Sequence, residues 1–390
     1  MITTPVTADL IRGAVELERT AHGLLPHRLP AWARAQGNDP QLATAEVQPS
    51  GVRLVFRTRA AVVELVTAPT KLVYRGAPPR PEGVYDLYAD GVSAGRQSVN
   101  GGTTITIDLA TGAAEAQRGE PGRARFEGLS PTLKTVEIWL PHNEKTELIE
   151  LRTDEPIEPA PASDRPQWLH HGSSISHGSN ADSPSTTWPA VAAARAGFDL
   201  TNLGLSGSAL LDPFTARTMR DLPADLISVK IGINIVNADL MRLRAFGPAV
   251  HGFLDTLREG HPSTPLLVVS PILCPIHEET PGPGAFDQAA LAEGRLGFIA
   301  TGNPAERAAG KLTLTVIRDE LARIVTERAK TDPNLSYLDG RELYGEADFA
   351  VRPLPDQLHP DAATHRVMGE RFADRAFPQF SRIAPEQDAR

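Results

Sequence analysis

The chain has 390 residues, more than one compact core usually carries, so we predict two domains. Hydrophobic residues make up 41% of the sequence and the formal net charge is -9, which argues against a nucleic-acid or anionic-membrane partner because phosphate binding needs a basic surface. The single cysteine, Cys274, excludes an internal disulfide. Neither a signal-peptide pattern nor an apolar stretch of 18 residues occurs, so we expect a cytoplasmic protein.

The first part of the chain predicts an all-β domain over residues 1–153. Residues 1–45 show no clear period, and we predict only a short helix over residues 9–18 there, with Asp9 as its cap. From about residue 46 the hydrophobic period becomes two, and turn residues separate six short strands at 52–57, 62–66, 85–88, 104–109, 136–140 and 148–151. Short strands at this spacing, with no long helix between them, are typical of an antiparallel β-sandwich or jelly roll.

The second part predicts a three-layer α/β domain over residues 167–385. Residues 154–166 are rich in proline and acidic residues without any period, which indicates a linker. Beyond it, apolar strands alternate with helices. The predicted strands are 167–171, 199–203, 224–231, 265–271 and 335–338, and the predicted helices are 188–196, 241–259, 312–330 and 362–372. Such alternation predicts a parallel sheet covered by helices on both faces.

Polar segments follow three of these strands, and a fourth precedes the last helix. The segments are 172–176 (GSSIS), 202–208 (NLGLSGS), 232–234 (GIN) and 356–359 (DQLH). Open α/β sheets place their chemistry at the carboxyl ends of the strands, so we expect the four segments to meet.

Together these segments contain the groups that acyl transfer needs. A serine is a poor nucleophile without a nearby base; Ser174 is the candidate nucleophile and His359 the candidate base. Asp356, three residues before His359, can fix the tautomer of the imidazole. The backbone N–H groups of Ser174 and Gly207 and the side-chain amide of Asn234 can donate to the oxyanion of the tetrahedral intermediate.

Each segment also has a structural interpretation, and only their joint occurrence favours the catalytic one. Asn234 alone would brace a turn, and the segment 356–359 alone would cap a helix. The Gly-x-Ser-x-Gly elbow of α/β-hydrolases is absent. His170, His171 and His177 lack the spacing and companion carboxylates of a zinc site, so no metal is predicted.

The remaining chemical side chains favour packing roles. On a strand His170 and His171 face opposite sides, and we expect one of them to be buried and hydrogen-bonded and the other to lie near the mouth of the site. Cys274 ends an apolar strand and is predicted to be a packed thiol. Residues 275–311 are too long for an ordinary connection, which is typical of lids and binding loops.

In order and rough spacing, the four segments resemble the four conserved blocks of the SGNH or GDSL hydrolases, over residues 165–375. The resemblance implies that Ser174 is the nucleophile, that Gly207 and Asn234 donate to the oxyanion, and that Asp356 and His359 complete a catalytic triad.

Two positions depart from the family pattern. Ser173 stands where the family usually has aspartate, and Ile235 stands where an aspartate often follows the asparagine. Neither position carries the acyl chemistry, so the departures concern the subfamily rather than the mechanism.

The added N-terminal sandwich is similar to the layout of carbohydrate esterases and of acyltransferases from tetracycline antibiotic biosynthesis. The second similarity implies an acyltransferase that moves an aryl group, such as salicylyl, from a CoA thioester to a hydroxyl of a polyketide acceptor through acyl-Ser174. Acyl-CoA would be a co-substrate, and no tightly bound cofactor is expected.

Two alternatives stay open. One is an esterase or deacetylase of acetylated sugars or other small esters, with water as the acceptor. The other is a sugar-binding protein without activity, which the set of Ser174, Asp356 and His359 argues against. The partners expected in either enzymatic case are small molecules, and the sequence leaves the oligomeric state open. The sandwich would wall the substrate site, bind carbohydrate, or serve only as a packing module.

Overall fold

The N-terminal half consists mainly of strands. The computed structural model describes residues 1–109 and 111–379. Its first strands and helices are β1 (Ile2–Pro5), β2 (Ile11–Arg12), β3 (Glu16–Arg19), β4 (Leu24–His27), α1 (Ala31–Gln36) and α2 (Pro40–Val47). They are followed by β5 (Arg53–Thr58), β6 (Val63–Arg75), β7 (Val84–Ala89), β8 (Val92–Ser98), β9 (Thr103–Asp108), β10 (Ala114–Gln117), β11 (Gly122–Phe126), β12 (Lys134–Trp139), β13 (Lys145–Thr153) and β14 (Ile157–Pro159).

Two sheets of this region face each other. The first has the order β10-β9-β6-β13-β4-β3, with β1 beside β13 and β11 beside β6, and the second has the order β14-β5-β12-β7-β8, with β2 beside β5. Side chains of both sheets share one buried core, for example Phe56, Leu65, Ile138 and Leu148. The predicted sandwich is therefore present, because the alternating side chains of each strand bury one face against the other sheet. The pair β6 and β9 departs from the antiparallel expectation and runs parallel.

The prediction for residues 1–45 is wrong. Instead of a helix over residues 9–18 there is one turn of 3-10 helix, Ala8–Leu10, followed by the strands β2 and β3. These strands are short, and their sequences show no clear hydrophobic period. They are held in place by pairing, β2 with β5 and β3 with β4. Residues 157–159, inside the predicted linker, form β14 and pair with β5.

The C-terminal half alternates strands and helices. Its strands are β15 (Gln167–Gly172), β16 (Asp199–Gly204), β17 (Leu226–Lys230), β18 (Leu266–Val269), β19 (Gly284–Phe286), β20 (Phe298–Ala300) and β21 (Leu335–Leu338). Its helices are α3 (Ser174–His177), α4 (Trp188–Ala196), α5 (Pro213–Asp221), α6 (Ile233–Asn237), α7 (Leu243–Gly260), α8 (Pro275–Glu278), α9 (Gln288–Ala292), α10 (Leu314–Arg328), α11 (Glu346–Val351) and α12 (Ala362–Ala376). The predicted domain end at residue 385 lies outside the described residues.

The parallel sheet has the order β16-β15-β17-β18-β21. Helices cover both faces of β15. Trp168 stacks on Phe372 of α12 with 5.0 Å between ring centroids. His171, which is three positions further along the strand and therefore on the opposite face, stacks on Phe253 of α7 at 5.8 Å. This is the predicted three-layer α/β arrangement. The chain leaves β15 toward β16 on one side and returns to β17 on the other, so the strand order reverses at β15, where open α/β sheets form their crevice.

Buried polar contacts join the two halves. Nη2 of Arg53 lies 2.9 Å from Oδ1 of Asp199, and both side chains are largely buried. A small apolar cluster adds to the contact and combines residues of both halves, namely Leu29, Ala33, Leu42, Leu205 and Phe214. No helix within residues 1–109 and 111–379 is long and apolar enough to cross a membrane.

Candidate active site

Ser174 lies at the start of a one-turn helix that directly follows β15. Ser173 is the N-cap of this helix, and its Oγ accepts a hydrogen bond from the N–H of Ile175 at 3.4 Å. Gly178 ends the helix in the left-handed conformation. The strand–turn–helix connection brings Ser174 to the carboxyl edge of the sheet, where the residue is buried with 7% of its surface exposed.

The helix α3 packs tightly against β16. A Cβ atom on Gly204 would lie 2.5 Å from the backbone nitrogen of His177, so only glycine allows this approach. On the other side, Oγ of Ser176 lies 2.8 Å from Nε2 of His170, and neither side chain is exposed. This hydrogen bond braces the turn that carries Ser174.

The structure brings Ser174, His359 and Asp356 into one hydrogen-bonded chain. Nε2 of His359 lies 2.9 Å from Oγ of Ser174, and Nδ1 of His359 lies 2.8 Å from Oδ2 of Asp356. Gln357, between the two, has a φ of 69°, and in this turn Oδ1 of Asp356 also accepts from the backbone N–H of His359 at 2.6 Å. An acid that holds Nδ1–H leaves Nε2 free to take the serine proton.

Asp356 is held as a carboxylate by its neighbours. Burial by itself raises the pKa of Asp356, but hydrogen bonds from the ring and backbone of His359 and from the backbone of Leu358 outweigh it and lower the pKa below its usual value. A further donor, Nδ2 of Asn180, lies 3.2 Å from Oδ2. The carboxylate is therefore charged at neutral pH and fixed in orientation.

Gly207 lies on the loop that follows β16, and Asn234 lies in α6, the short helix that follows β17. The N–H of Ala209 donates to Oδ1 of Asn234 at 3.1 Å, which links this loop to α6 and leaves the amide NH2 group to donate elsewhere. Gly207 has a φ of 73°, which favours glycine. Across the described ranges, the N–H groups of Ser174 and Gly207 donate to no protein acceptor. The arrangement provides three donors on one edge of the sheet.

A side chain of the N-terminal half reaches this edge. Nε2 of Gln41, in α2, donates to the backbone oxygen of Ser206 at 2.9 Å. A Cβ on Gly207 would lie 3.0 Å from the Gln41 side chain. The loop with the candidate oxyanion donor is thus covered by a residue of α2, the helix between β4 and β5.

The three neighbouring histidines make structural contacts. Nδ1 of His171 donates to the backbone oxygen of Leu203 at 2.8 Å, and burial lowers the pKa of His171 to about 4. His170 and His177 are also buried, and their pKa values lie well below the usual value for the same reason. The expectation that one of the residues His170 and His171 lies at the mouth of the site is wrong, because both are buried, with exposures of 0% and 1%.

Arg28 of the N-terminal half holds the back of the helix α3. Its guanidinium is fully buried and donates to the backbone oxygens of Asn202 and Gly204, at 3.2 and 2.5 Å, and to that of Ala45. It also donates to Nδ1 of His177 at 3.0 Å. Because His177 accepts at Nδ1, it is neutral.

Residues 275–311 form short helices and the hairpin of β19 and β20 rather than an irregular loop. The ring of Phe298 meets that of His359 edge-on with 5.6 Å between centroids. Cys274 is buried, its Sγ contacts the backbone oxygen of Gln357 at 3.4 Å, and burial raises its pKa. The expectation of a packed thiol is confirmed.

Sequence reasoning missed several residues of this site, among them Asn180, Gln41, Arg28 and Phe298. Asn180, four residues after the segment 172–176, has a φ of 67°, and an asparagine in such a place is a weak turn signal. The other three lie in segments with no local motif, and their roles depend on contacts with residues far away in the sequence.

The comparisons with known proteins agree with this geometry. A model of the GDSL-like lipase/acylhydrolase family matches residues 171–367, just over half of the chain. Among solved structures, the salicylyl-acyltransferase SsfX3 from a tetracycline biosynthetic pathway is 26% identical, with a TM-score of 0.77 over 97% of each chain. No curated protein matches the chain.

Two more distant structures share the fold. A GDSL-like lipase from Bacteroides ovatus is 19% identical, with a TM-score of 0.66 over 98% of each chain. An active-site mutant of a family two carbohydrate esterase from Clostridium thermocellum is 12% identical, with a TM-score of 0.56 over 85% of this chain and 93% of the other. The family model, together with the position of its match on the α/β half, identifies this chain as a member of the GDSL-like lipase/acylhydrolase family.

Proposed function

We propose that this protein is a serine acyltransferase that moves an acyl group, of the aryl type, from a CoA thioester to a hydroxyl of a polyketide or other ring-containing acceptor. The observation that carries the acyl chemistry is the hydrogen-bonded chain of Ser174, His359 and Asp356. Transfer rather than hydrolysis is supported by the likeness to a salicylyl-acyltransferase over almost the whole of both chains.

In the first half-reaction, Oγ of Ser174 attacks the thioester carbonyl while Nε2 of His359 takes its proton. Asp356 stabilises the imidazolium that forms. The negative charge on the carbonyl oxygen is received by the N–H groups of Ser174 and Gly207 and by the amide of Asn234. Collapse breaks the C–S bond, and the thiol leaves with the proton from His359.

In the second half-reaction, the acceptor hydroxyl gives its proton to Nε2 of His359 and its oxygen bonds to the acyl carbon. The bond from that carbon to Oγ of Ser174 then breaks, and Oγ recovers the proton. A transferase must keep water from the acyl-enzyme. We propose that the N-terminal half helps to wall the site, which is supported by the contact of Gln41 with the loop of Gly207.

Hydrolysis is the second candidate function, and the family description as lipase and acylhydrolase favours it. The first half-reaction would be the same, and water would then take the place of the acceptor. Small esters, including acetylated sugars, would be the substrates.

Intact-mass spectrometry over a panel of CoA thioesters tests the proposal. We expect an acyl adduct on the wild-type protein, none on Ser174→Ala, and an unchanged adduct on Ser163→Ala, which alters an exposed serine outside the site. With a hydroxyl acceptor present, new ester should appear. If only free acid forms with every acceptor, the protein is a hydrolase; an adduct that persists on Ser174→Ala means that another residue is the nucleophile.

A further inference from the structure

One face of the hairpin formed by β19 and β20 carries a pair of aromatic rings. Phe286 and Phe298 are directly opposite each other in the antiparallel register, and their ring centroids lie 5.3 Å apart. Successive side chains of a strand point to opposite faces, so the neighbouring pair, Ala285 and Ile299, lies on the other face.

This aromatic face is fixed beside the candidate base. The ring of Phe298 contacts that of His359 edge-on, and the N–H of Phe298 donates to the backbone oxygen of Asp356 at 3.0 Å. Phe286 stands farther out, with 39% of its surface exposed. An aromatic surface therefore runs outward from the base.

The chemistry of the two half-reactions determines which part of the substrate meets this surface. Nε2 of His359 gives a proton to the leaving group and then takes one from the acceptor, so both groups occupy the space beside His359 in turn. The carbonyl oxygen instead turns toward Gly207 and Asn234. Side chains that flank His359 consequently contact the leaving group and the acceptor rather than the oxyanion.

We propose that Phe286 and Phe298 form the binding surface for an aromatic hydroxyl compound, a phenol or fused-ring alcohol, as the acceptor. This inference rests on the proposed acyl transfer through Ser174. Aromatic rings bind one another in offset or edge-to-face arrangements, and the exposed ring of Phe286 offers such a partner to a flat acceptor. Phe298 orients that acceptor so that its hydroxyl points at Nε2 of His359.

Esters with a common acyl group and different leaving groups test the surface. We compare kcat/KM for the phenyl and the ethyl ester of whichever acyl group labels Ser174 in the wild type. The intrinsic reactivity of each ester is the same for every variant, so a change in the phenyl-to-ethyl ratio reports binding of the ring. Phe286→Ala should lower this ratio roughly tenfold, and Phe286→Trp should preserve it.

Ile299→Ala is the matched control, since Ile299 is also 39% exposed but lies on the opposite face of the same hairpin. It should leave the ratio unchanged. A ratio that Phe286→Ala does not alter, or that both alanine variants lower equally, overturns the acceptor surface while the acyl transfer stands. If no acyl group labels Ser174 in the wild type, the proposed function itself fails, and the acceptor surface fails with it.

Discussion

Ser173 and Ile235 depart from the family pattern, and the structure explains both departures. Ser173 is the N-cap of α3, a position that serine and aspartate fill about equally well, because either side chain accepts from the backbone of the first helical turn. Ile235 is fully buried in α6, where an apolar side chain belongs to the core. Neither change removes a group from the chain of Ser174, His359 and Asp356.

The two ends of the Asn234 side chain have different partners. Oδ1 accepts from the N–H of Ala209, and the NH2 group is left to donate to an oxyanion. The residue is 4% exposed, and a donor that is already oriented in a site with little water is effective at stabilising developing charge.

Asn234→Ala should therefore lower the rate of acylation of Ser174 by about 10²–10³. Asn234→Asp keeps the acceptor for Ala209 but places a carboxylate where negative charge develops, so we expect at least as large a loss. Single-turnover acylation by one acyl-CoA gives the rates, with thermal unfolding measured alongside. Wild-type rates in Asn234→Asp would mean that the residue only braces the loop.

At the scale of elements, the helix α3 depends on the N-terminal half. Arg28 donates to His177 and to backbone oxygens of β16, and Oγ of Ser50 donates to the backbone oxygen of His177 at 2.6 Å. Burial lowers the pKa of Arg28 to about 9, while Glu46 opposes the shift. A buried guanidinium is tolerated because several acceptors surround it.

Arg28→Met should lower the free energy of unfolding by roughly 2–5 kcal/mol, because it leaves buried carbonyl oxygens without donors. Chemical denaturation followed by tryptophan fluorescence measures the loss. Arg19→Met, which changes an exposed arginine of β3, should stay within about 0.5 kcal/mol of the wild type. Equal stabilities of the two variants would show that the buried contacts of Arg28 contribute nothing net.

At the scale of the whole molecule, buried neutral histidines make stability depend on pH. Burial lowers the pKa to about 4 for His171 and His365 and to about 3 for His142. An unfolded histidine takes up its proton near pH 6.5. Between these pH values the three histidines are protonated in the unfolded state but not in the folded state. Burying them as neutral rings therefore costs no stability above pH 6.5, and the folded state loses stability as the pH falls toward 4 and 3.

We therefore expect the free energy of unfolding to fall steeply between pH 6.5 and 4. The slope of the free energy of unfolding against pH is proportional to the number of protons taken up on unfolding. His171→Asn should reduce that number by up to one, because asparagine can keep the hydrogen bond to Leu203 but cannot titrate. Urea denaturation at several pH values measures the slope. The control His22→Asn changes an exposed histidine and should leave the slope as it is in the wild type. If His171→Asn also leaves the slope unchanged, buried His171 does not cause the pH dependence.

Local pattern predicted the five strands of the parallel sheet and the helices α4, α7, α10 and α12. The strand Leu335–Leu338 and the helix Trp188–Ala196 have the predicted bounds, because alternation and amphipathicity are properties of neighbouring residues. The prediction for the first 45 residues was wrong, because the structure there depends on pairing between strands and not on a pattern of neighbouring residues. The strand β4, Leu24–His27, is buried throughout and shows no alternation, and it forms only by pairing with β3 and β13.

The sequence by itself determined the order of the two halves, the parallel sheet and the candidate residues Ser174, Gly207, Asn234, Asp356 and His359, because short motifs at strand ends carry that information locally. Only the tertiary structure decided what surrounds them. Asn180 lies 176 positions before the carboxylate that it contacts, and Arg28 lies 149 positions before His177. Such contacts arise when the chain folds back on itself, and no local period records them.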